Sequence, residues 1–263
     1  MAANPIGFLG GGRIVRIILG GWQRVGFLPP EVHVREPRGE ALAKLKSLFP
    51  AVCDLSDAPE ALGRIKSLFV AVPSSALSDV LKSLNGHLRN DALVISLVPG
   101  TPLASLSVAL GDFTRLARVV PNAPSLVGAG FNPVSFGPGL DETDREQVLS
   151  LLRPLGVCPV VSEKHLEAYA VLTAMGPTYF WFQFHQLREL GLSFGLAPSD
   201  LEEALAAMLN GSVQTFFASG LPAEEVMDLV AIKPLRNVED SIREAYKSRL
   251  CEIYQKLAQY EVR

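Results

Sequence analysis

Residues 5–21, Pro5-Ile6-Gly7-Phe8-Leu9-Gly10-Gly11-Gly12-Arg13-Ile14-Val15-Arg16-Ile17-Ile18-Leu19-Gly20-Gly21, read as a buried strand, a glycine turn and a short helix. That succession is the shape of a dinucleotide-binding turn. Gly10 permits a tight reversal of the chain. Gly12, with no Cβ, lets the backbone approach a pyrophosphate that then rests on the N–H groups opening the helix. Val15 stands where the fingerprint has Gly or Ala for close helix–strand packing, so the match is incomplete. Gly10, Gly11, Gly12, Arg13 and Ile14 are the first candidate cofactor contacts.

Glu31-Val32-His33-Val34 predicts a second strand that ends about 20 residues beyond Gly12, where the adenosine ribose is read. An acidic residue there binds the free 2′-hydroxyl, whereas an arginine accommodates a 2′-phosphate. The chain has Arg35-Glu36-Pro37-Arg38, arginine first and acid second, with two guanidiniums bracketing a turn. NADP(H) is therefore expected in preference to NAD(H), with Arg35 and Arg38 as its readers; a solvated charged loop is the alternative.

Ser67 to Pro73, Ala92 to Val98 before Pro99-Gly100, and Leu116 to Val120 before Pro121-Asn122 are apolar runs stopped by proline, with helical patterns between them. Such strands, apolar on both faces, indicate a parallel sheet covered on both sides, whose ligands bind beyond the carboxyl ends of the strands. Val72, Pro73, Pro99 and Asn122 thereby join the candidate cofactor residues. Asp141 is placed to cap a helix ending near Pro154-Leu155-Gly156, and a last strand is expected over 157–161. From residue 162 the period is helical: 163–191, 199–219 with a Ser199/Glu202 capping box, 222–230 and 238–260. The fold class is α/β, a doubly wound and mainly parallel sheet over 1–161 followed by an all-α domain over 162–263.

Pro177 falls inside the 163–191 pattern. It lacks an N–H, so the helix should bend and leave the carbonyl of Thr173 in need of a partner. Tyr179 to Phe184 is apolar around most of a helix, which points to burial by a second copy and a homodimer through the helical domain. A kinked core helix in a monomer is the competing view.

With 48% hydrophobic residues in 263, the chain has material for two domains. Its 24 basic and 27 acidic residues leave no excess charge to draw nucleic acid or an anionic membrane. No apolar run approaches the roughly 20 residues of a membrane span, and the N-terminus has no signal-peptide pattern, so a cytoplasmic protein is expected. Cys53, Cys158 and Cys251 have no metal spacing and are expected to be buried reduced thiols.

The order of motifs resembles the pyrroline-5-carboxylate reductases, which reduce a cyclic imine with NAD(P)H in proline biosynthesis. Gly7-Phe8-Leu9-Gly10-Gly11-Gly12 is similar to the family's GFIGxG, Phe69-Val70-Ala71-Val72-Pro73 to FLAVKP, and Ile95-Ser96-Leu97-Val98-Pro99-Gly100 to ISxxAG. The most specific segment, Arg118-Val119-Val120-Pro121-Asn122-Ala123-Pro124-Ser125-Leu126-Val127-Gly128, resembles RVMPNTPxxVG. The resemblance implies a Rossmann-type domain, then an all-α dimerisation domain, with dimers assembling further in many members.

The departures fall in the substrate half. Where the family reads TALSGSGPAY, this chain has Ala170-Val171-Leu172-Thr173-Ala174-Met175-Gly176-Pro177-Thr178-Tyr179, with Met175 in place of a serine. The family's TSPGGTT, which holds the substrate carboxylate, corresponds to Ala231-Ile232-Lys233-Pro234-Leu235-Arg236-Asn237. Met175, Lys233, Arg236 and Asn237 are thus candidate substrate contacts. Tyr179, Thr178 and, behind them, Thr173 are candidate catalytic groups. Two functions follow: reduction of an imine, expected to bear a carboxylate and to differ from the family's usual substrate, or a degenerate nucleotide-binding relative acting as sensor or partner. A β-hydroxyacid dehydrogenase is disfavoured, because no lysine follows Gly176 on the long helix.

Overall fold

The computed structural model describes residues 5–55 and 59–259. In chain order the first part comprises β1 (Ile6–Leu9), α1 (Arg13–Arg24), β2 (Val32–Arg35), α2 (Gly39–Leu48), β3 (Val52–Asp54), α3 (Pro59–Leu62), β4 (Ser67–Val70) and α4 (Ser74–Leu84). There follow β5 (Leu93–Ser96), α5 (Leu103–Ala109), β6 (Leu116–Val119), β7 (Gly130–Phe131), β8 (Val134–Phe136), α6 (Glu142–Leu152) and β9 (Gly156–Val157). The main sheet runs β3-β2-β1-β4-β5-β6-β8, parallel except for the antiparallel β8 at its edge. This is the doubly wound Rossmann order, and its direction reverses between β1 and β4. The strand expected over 157–161 shrinks to β9 paired with β7 and one bridge from Val160 to Val134, because Pro159 has no N–H to continue a ladder.

Successive side chains of each strand enter opposite layers, so both faces need cover. Phe8 and Phe69 stack at 4.7 Å on one face, packed with Val15, Ile18 and Trp22 of α1 and Val148 and Leu152 of α6. Leu9, Leu68, Val70 and Val94 face the other way, onto Leu77, Leu81 and Leu84 of α4 and Leu106 of α5. The Trp22 indole donates to the carbonyl of Leu151 at 2.7 Å, which satisfies its one polar atom inside the first layer. Asp141 caps α6 as expected, in a capping box with Asp144.

One polar cluster is buried with these layers. The Arg118 guanidinium, on β6 and 1% exposed, pairs with Glu167 and with Glu163 at 2.9 Å. Glu167, equally buried, also accepts the backbone N–H of Gly100, while Glu163 accepts that of Leu103 at 2.6 Å. The loop after β5, strand β6 and residues 163–167 are thereby tied at one point.

The described residues up to Met175, with those from Ile253 onward, form one compact unit; Gly176–Glu252 form a second. The division expected after residue 161 falls later because Leu166 and Ala170 pack on Val120 in a small cluster of the first unit. After a 3-10 turn at Glu163–His165 and α7 (Leu166–Tyr169), Ala170–Ala174 is π-helical, with Met175 N–H donating to the carbonyl of Ala170. A new helix, α8 (Pro177–Ser193), then opens on the proline. The single bent helix expected over 163–191 is therefore several segments, because proline at a first helical position sacrifices no bond and the widened turn before it absorbs the mismatch.

The remaining helices are α9 (Pro198–Ala218), α10 (Ala223–Asp228) and α11 (Arg236–Ala258). The Ser199/Glu202 capping box does not form: Ala197 is the N-cap and Pro198 starts the helix one residue early, leaving Ser199 to bond Asp200. All three cysteines are free thiols, but Cys251 is exposed and Cys53 and Cys158 are half-buried, correcting the expectation that all are buried. Among the described residues no helix is long and apolar enough to cross a membrane.

The Arg118 cluster generates a stability prediction. Arg118→Met leaves the Glu167 carboxylate buried without its cation, and should cost on the order of 3 kcal/mol in urea denaturation. A loss below about 0.5 kcal/mol, the range of ordinary surface changes, would show that the ion pair is not what holds these segments.

Candidate functional site

The sheet reverses direction between β1 and β4, and a cleft opens where their carboxyl ends diverge. Gly10 leaves β1 at φ +97° with its N–H donating to the carbonyl of Arg35 at 2.8 Å. A Cβ on Gly10 would lie 2.5 Å from the carbonyl oxygen of Ala71, so the turn against the end of β4 admits glycine alone. Around Gly12 a Cβ would meet nothing within 4 Å, and no side chain caps the helix α1 that follows. The opening N–H groups of α1 therefore face open space suited to an anion.

The cleft encloses about 890 Å³ and brings together Gly10, Gly11, Gly12, Arg13, Ile14, Arg35, Arg38, Val72 and Pro73 of the expected set. Pro99 and Asn122 do not line it. Sequence reading missed Arg16, Glu36 and Lys44 as lining residues. Arg16 follows Arg13 by three residues on a helix, a spacing that places both on one face, and was legible as such. Lys44 was not, since it comes from the middle of α2. Five basic side chains, Arg13, Arg16, Arg35, Arg38 and Lys44, face one acid, Glu36. That excess fits a ligand carrying several phosphates.

Arg35 and Arg38 diverge. Arg35 reaches toward α4 and donates to Ser83 Oγ at 3.3 Å. Arg38 folds back on Glu36, its Nε 2.8 Å from Oε1. Glu36 is buried, accepts the Gly11 N–H at 2.8 Å, and is held below the usual carboxylate range mainly by the Arg38 hydrogen bond.

Asn122, beyond β6, does a different task. Its side-chain amide donates to the carbonyl of Thr173 at 3.3 Å and its Oδ1 accepts the N–H of Phe131 at 3.0 Å. The acceptor that Pro177 deprives of its usual donor thus has the partner that the sequence called for. Thr173 Oγ1 in turn donates to the carbonyl of Tyr169 at 2.7 Å.

In the second unit Tyr179 packs edge-on against Tyr246 at 5.7 Å, and burial raises the pKa of its phenol. Thr178 is exposed and Met175, in the first unit, half-buried. Lys233 is paired with Asp228 at 3.4 Å, and Arg236 and Asn237 begin α11. Lys233 and Arg236 line a groove that also carries Glu224, Glu225, Asp228 and Glu239, so they are not an isolated cationic patch.

A family model described as "NADP oxidoreductase coenzyme F420-dependent" matches residues 5–100. The pyrroline-5-carboxylate reductase of Escherichia coli (strain K12) is 26% identical over 228 residues, 86% of this chain and 84% of that protein. The enzyme of the same name from Corynebacterium melassecola is 24% identical over 259 residues, 97% and 95% of the two chains. Among solved structures, Plasmodium falciparum pyrroline carboxylate reductase with NADP bound superposes with a TM-score of 0.82 at 20% identity, covering 99% of each chain. That likeness establishes the fold.

The glycine turn yields a direct prediction. Gly10→Ala forces a side chain against the Ala71 carbonyl at a positive φ, and should weaken NADPH binding at least about tenfold, or 1.4 kcal/mol, in a fluorescence titration. Unchanged affinity would show that this turn does not shape the nucleotide cleft.

Proposed function

We infer that this chain, which belongs to the pyrroline-5-carboxylate reductase family, is an NAD(P)H-dependent oxidoreductase that reduces the C=N bond of a carboxylate-bearing imine. The observation that carries the reading is the cleft: a glycine turn, an uncapped helix start and five cations meet at the switch point of the sheet. When bound, a nicotinamide supplies the hydride. The chain's own part is to hold the acceptor carbon in line and keep water away. The relatives' shared name favours retained catalysis over a nucleotide-binding protein without turnover. NADP(H) is favoured over NAD(H) on the strength of Arg35, Arg38 and Lys44 in one cleft.

Tyr179 and Thr178 are assigned as the polar groups nearest the reacting bond, with Thr173 behind them, since they occupy the family's Gly-Pro-x-Tyr region. A phenol is protonated at neutral pH, and burial raises the pKa of Tyr179 further, so it is available as a donor for an imine nitrogen that arrives neutral. Met175 offers a thioether where the family has a serine hydroxyl, so a polar contact to the substrate is absent at that position. The substrate carboxylate is assigned to Arg236 and Asn237, where a guanidinium and the start of a 23-residue helix act on the same anion. Lys233, engaged by Asp228, sets the charge around them.

The homodimer is proposed to form through residues 176–252. Phe182, Phe194 and Phe217 are 67%, 76% and 79% exposed there, an amount of bare aromatic surface that a second copy would cover. The dimer can assemble further, and we place it in the cytoplasm, where its three thiols stay reduced.

Two outcomes test these assignments. NADPH should be consumed with cyclic imines, faster with a ring carboxylate than without; Arg236→Gln should raise KM for the carboxylate-bearing imine at least about tenfold and leave the neutral one little changed. Equal effects on both would remove the anion role. Trp181→Asp, tolerable on an exposed helix of a monomer, should drop the mass in light scattering to that of one chain, because a charge stranded in an interface costs several kcal/mol. An oligomer of unaltered mass would place the interface elsewhere.

A further inference from the structure

The nucleotide cleft accounts for only one half of a dinucleotide. It draws on α1, α2, α4 and the turns after β1, β2 and β4, the side of a doubly wound sheet that takes the adenosine and the pyrophosphate. The two halves of such a sheet hold the two nucleotides, so a nicotinamide entering from this cleft crosses the switch point toward the turns after β5 and β6. Both turns are tied to one segment of chain. Glu167 accepts the Gly100 N–H beyond β5, 3.1 Å from each carboxylate oxygen, and Asn122 beyond β6 donates to the Thr173 carbonyl at 3.3 Å.

The tie to the turn after β5 is the more constrained. Arg118 spreads its fork over two carboxylates four residues apart, one nitrogen meeting Glu167 and the other Glu163 at 2.9 Å. Each carboxylate passes the hold on to a backbone N–H, Glu167 to that of Gly100 and Glu163 to that of Leu103 at 2.6 Å. The stretch between carries Pro99 and Pro102, which have no N–H to build a ladder, and Gly100 stands at φ +76°. Its shape therefore depends on the side chains that hold it. The Glu167 prong is buried, whereas the Glu163 side chain is 29% exposed. A buried ion pair stabilises little over an apolar pair of the same volume, but a carboxylate engaged on both oxygens has one orientation left. We propose that Glu167 is a positioning residue for hydride transfer: held by Arg118, it fixes Gly100 and with it the wall against which the nicotinamide ring rests. It acts through Gly100 rather than on the reacting atoms. A ring displaced by about 1 Å at that wall loses on the order of a hundredfold in rate while the cleft still holds the rest of the nucleotide.

The proposal rests on the nicotinamide-nucleotide reading, and two readouts on the full chain separate their failures. Calorimetry gives the NADPH dissociation constant and stoichiometry, which the cleft governs; the emission of the bound reduced nicotinamide reports the surroundings of that ring and needs no substrate. Glu167→Gln keeps the volume but turns an amide NH2 group toward a donor that needs an acceptor. It should leave affinity and stoichiometry within about twofold of wild type, bring the nicotinamide emission most of the way to that of free NADPH, and lower kcat with a carboxylate-bearing cyclic imine at least about tenfold. Emission per bound nucleotide equal to that of wild type overturns the proposal, as does a kcat per bound nucleotide within about twofold of it, and Glu167 is then a brace of the fold alone. If Glu167→Gln fails to fold, Glu167→Asp decides by the same readouts, since it keeps the charge beside Arg118 and is one methylene too short to hold Gly100 as well. Wild type that binds NADPH without turnover contradicts the reductase reading and leaves the emission to decide the role of Glu167; wild type that binds no nucleotide overturns both.

Discussion

The turn at Gly10 passes so near the carbonyl of Ala71 that a single Cβ would intrude to 2.5 Å, and this approach shapes everything at the carboxyl edge of the sheet. Because β1 and β4 are neighbours running the same way, their ends diverge into separate helices just where the glycine turn lies. The space between becomes a cleft whose floor is backbone. Around that floor the chain sets cations from α1, from the loop after β2 and from α2, segments far apart in sequence. A polyanion is the ligand that such a floor and rim suit, and the nucleotide reading follows from this pairing of uncapped N–H groups with charge.

A second constraint works further along the same edge. Arg118 lies within β6 and is buried, and a buried guanidinium persists only where carboxylates meet it. Glu163 and Glu167 do so from the segment that follows the sheet, and each also satisfies a backbone N–H, Glu167 that of Gly100 in the loop after β5 and Glu163 that of Leu103 at the start of α5. The chain leading toward the Gly-Pro-x-Tyr region is anchored in this way before it reaches Thr173, where Asn122 supplies the next tie. Satisfaction of buried polar groups thus fixes the path of the chain as far as Thr173.

What was legible in the sequence has a common physical basis. Strands buried on both faces read as apolar runs, and proline or glycine marks their ends, so β1, β4, β5 and β6 and their shared polarity could be inferred without a structure. The need of the Thr173 carbonyl for a donor was legible too, because it follows from the chemistry of Pro177 alone. Its partner was not, since Asn122 is remote in sequence and its alignment with Thr173 depends on the fold. The same reason hid the pairing of Arg118 with Glu167, and hid the position of Glu36, which looked subordinate to Arg35 yet is the residue turned onto the glycine loop. Helix starts were misjudged where proline took the first helical position: at Pro177, expected to bend a helix, and at Pro198, which displaced the expected Ser199 cap.

The central claim is that this cleft delivers a hydride to a C=N carbon, and isotope transfer tests it most directly. NADPH carrying deuterium at the transferable position of the nicotinamide C4 would be incubated with the protein and a cyclic imine bearing a ring carboxylate, and the amine product examined by mass spectrometry and NMR. The account predicts one deuterium in the product, on the former imine carbon and on one face. Tight nucleotide binding with no deuterated amine, across imines with and without the carboxylate, would contradict it.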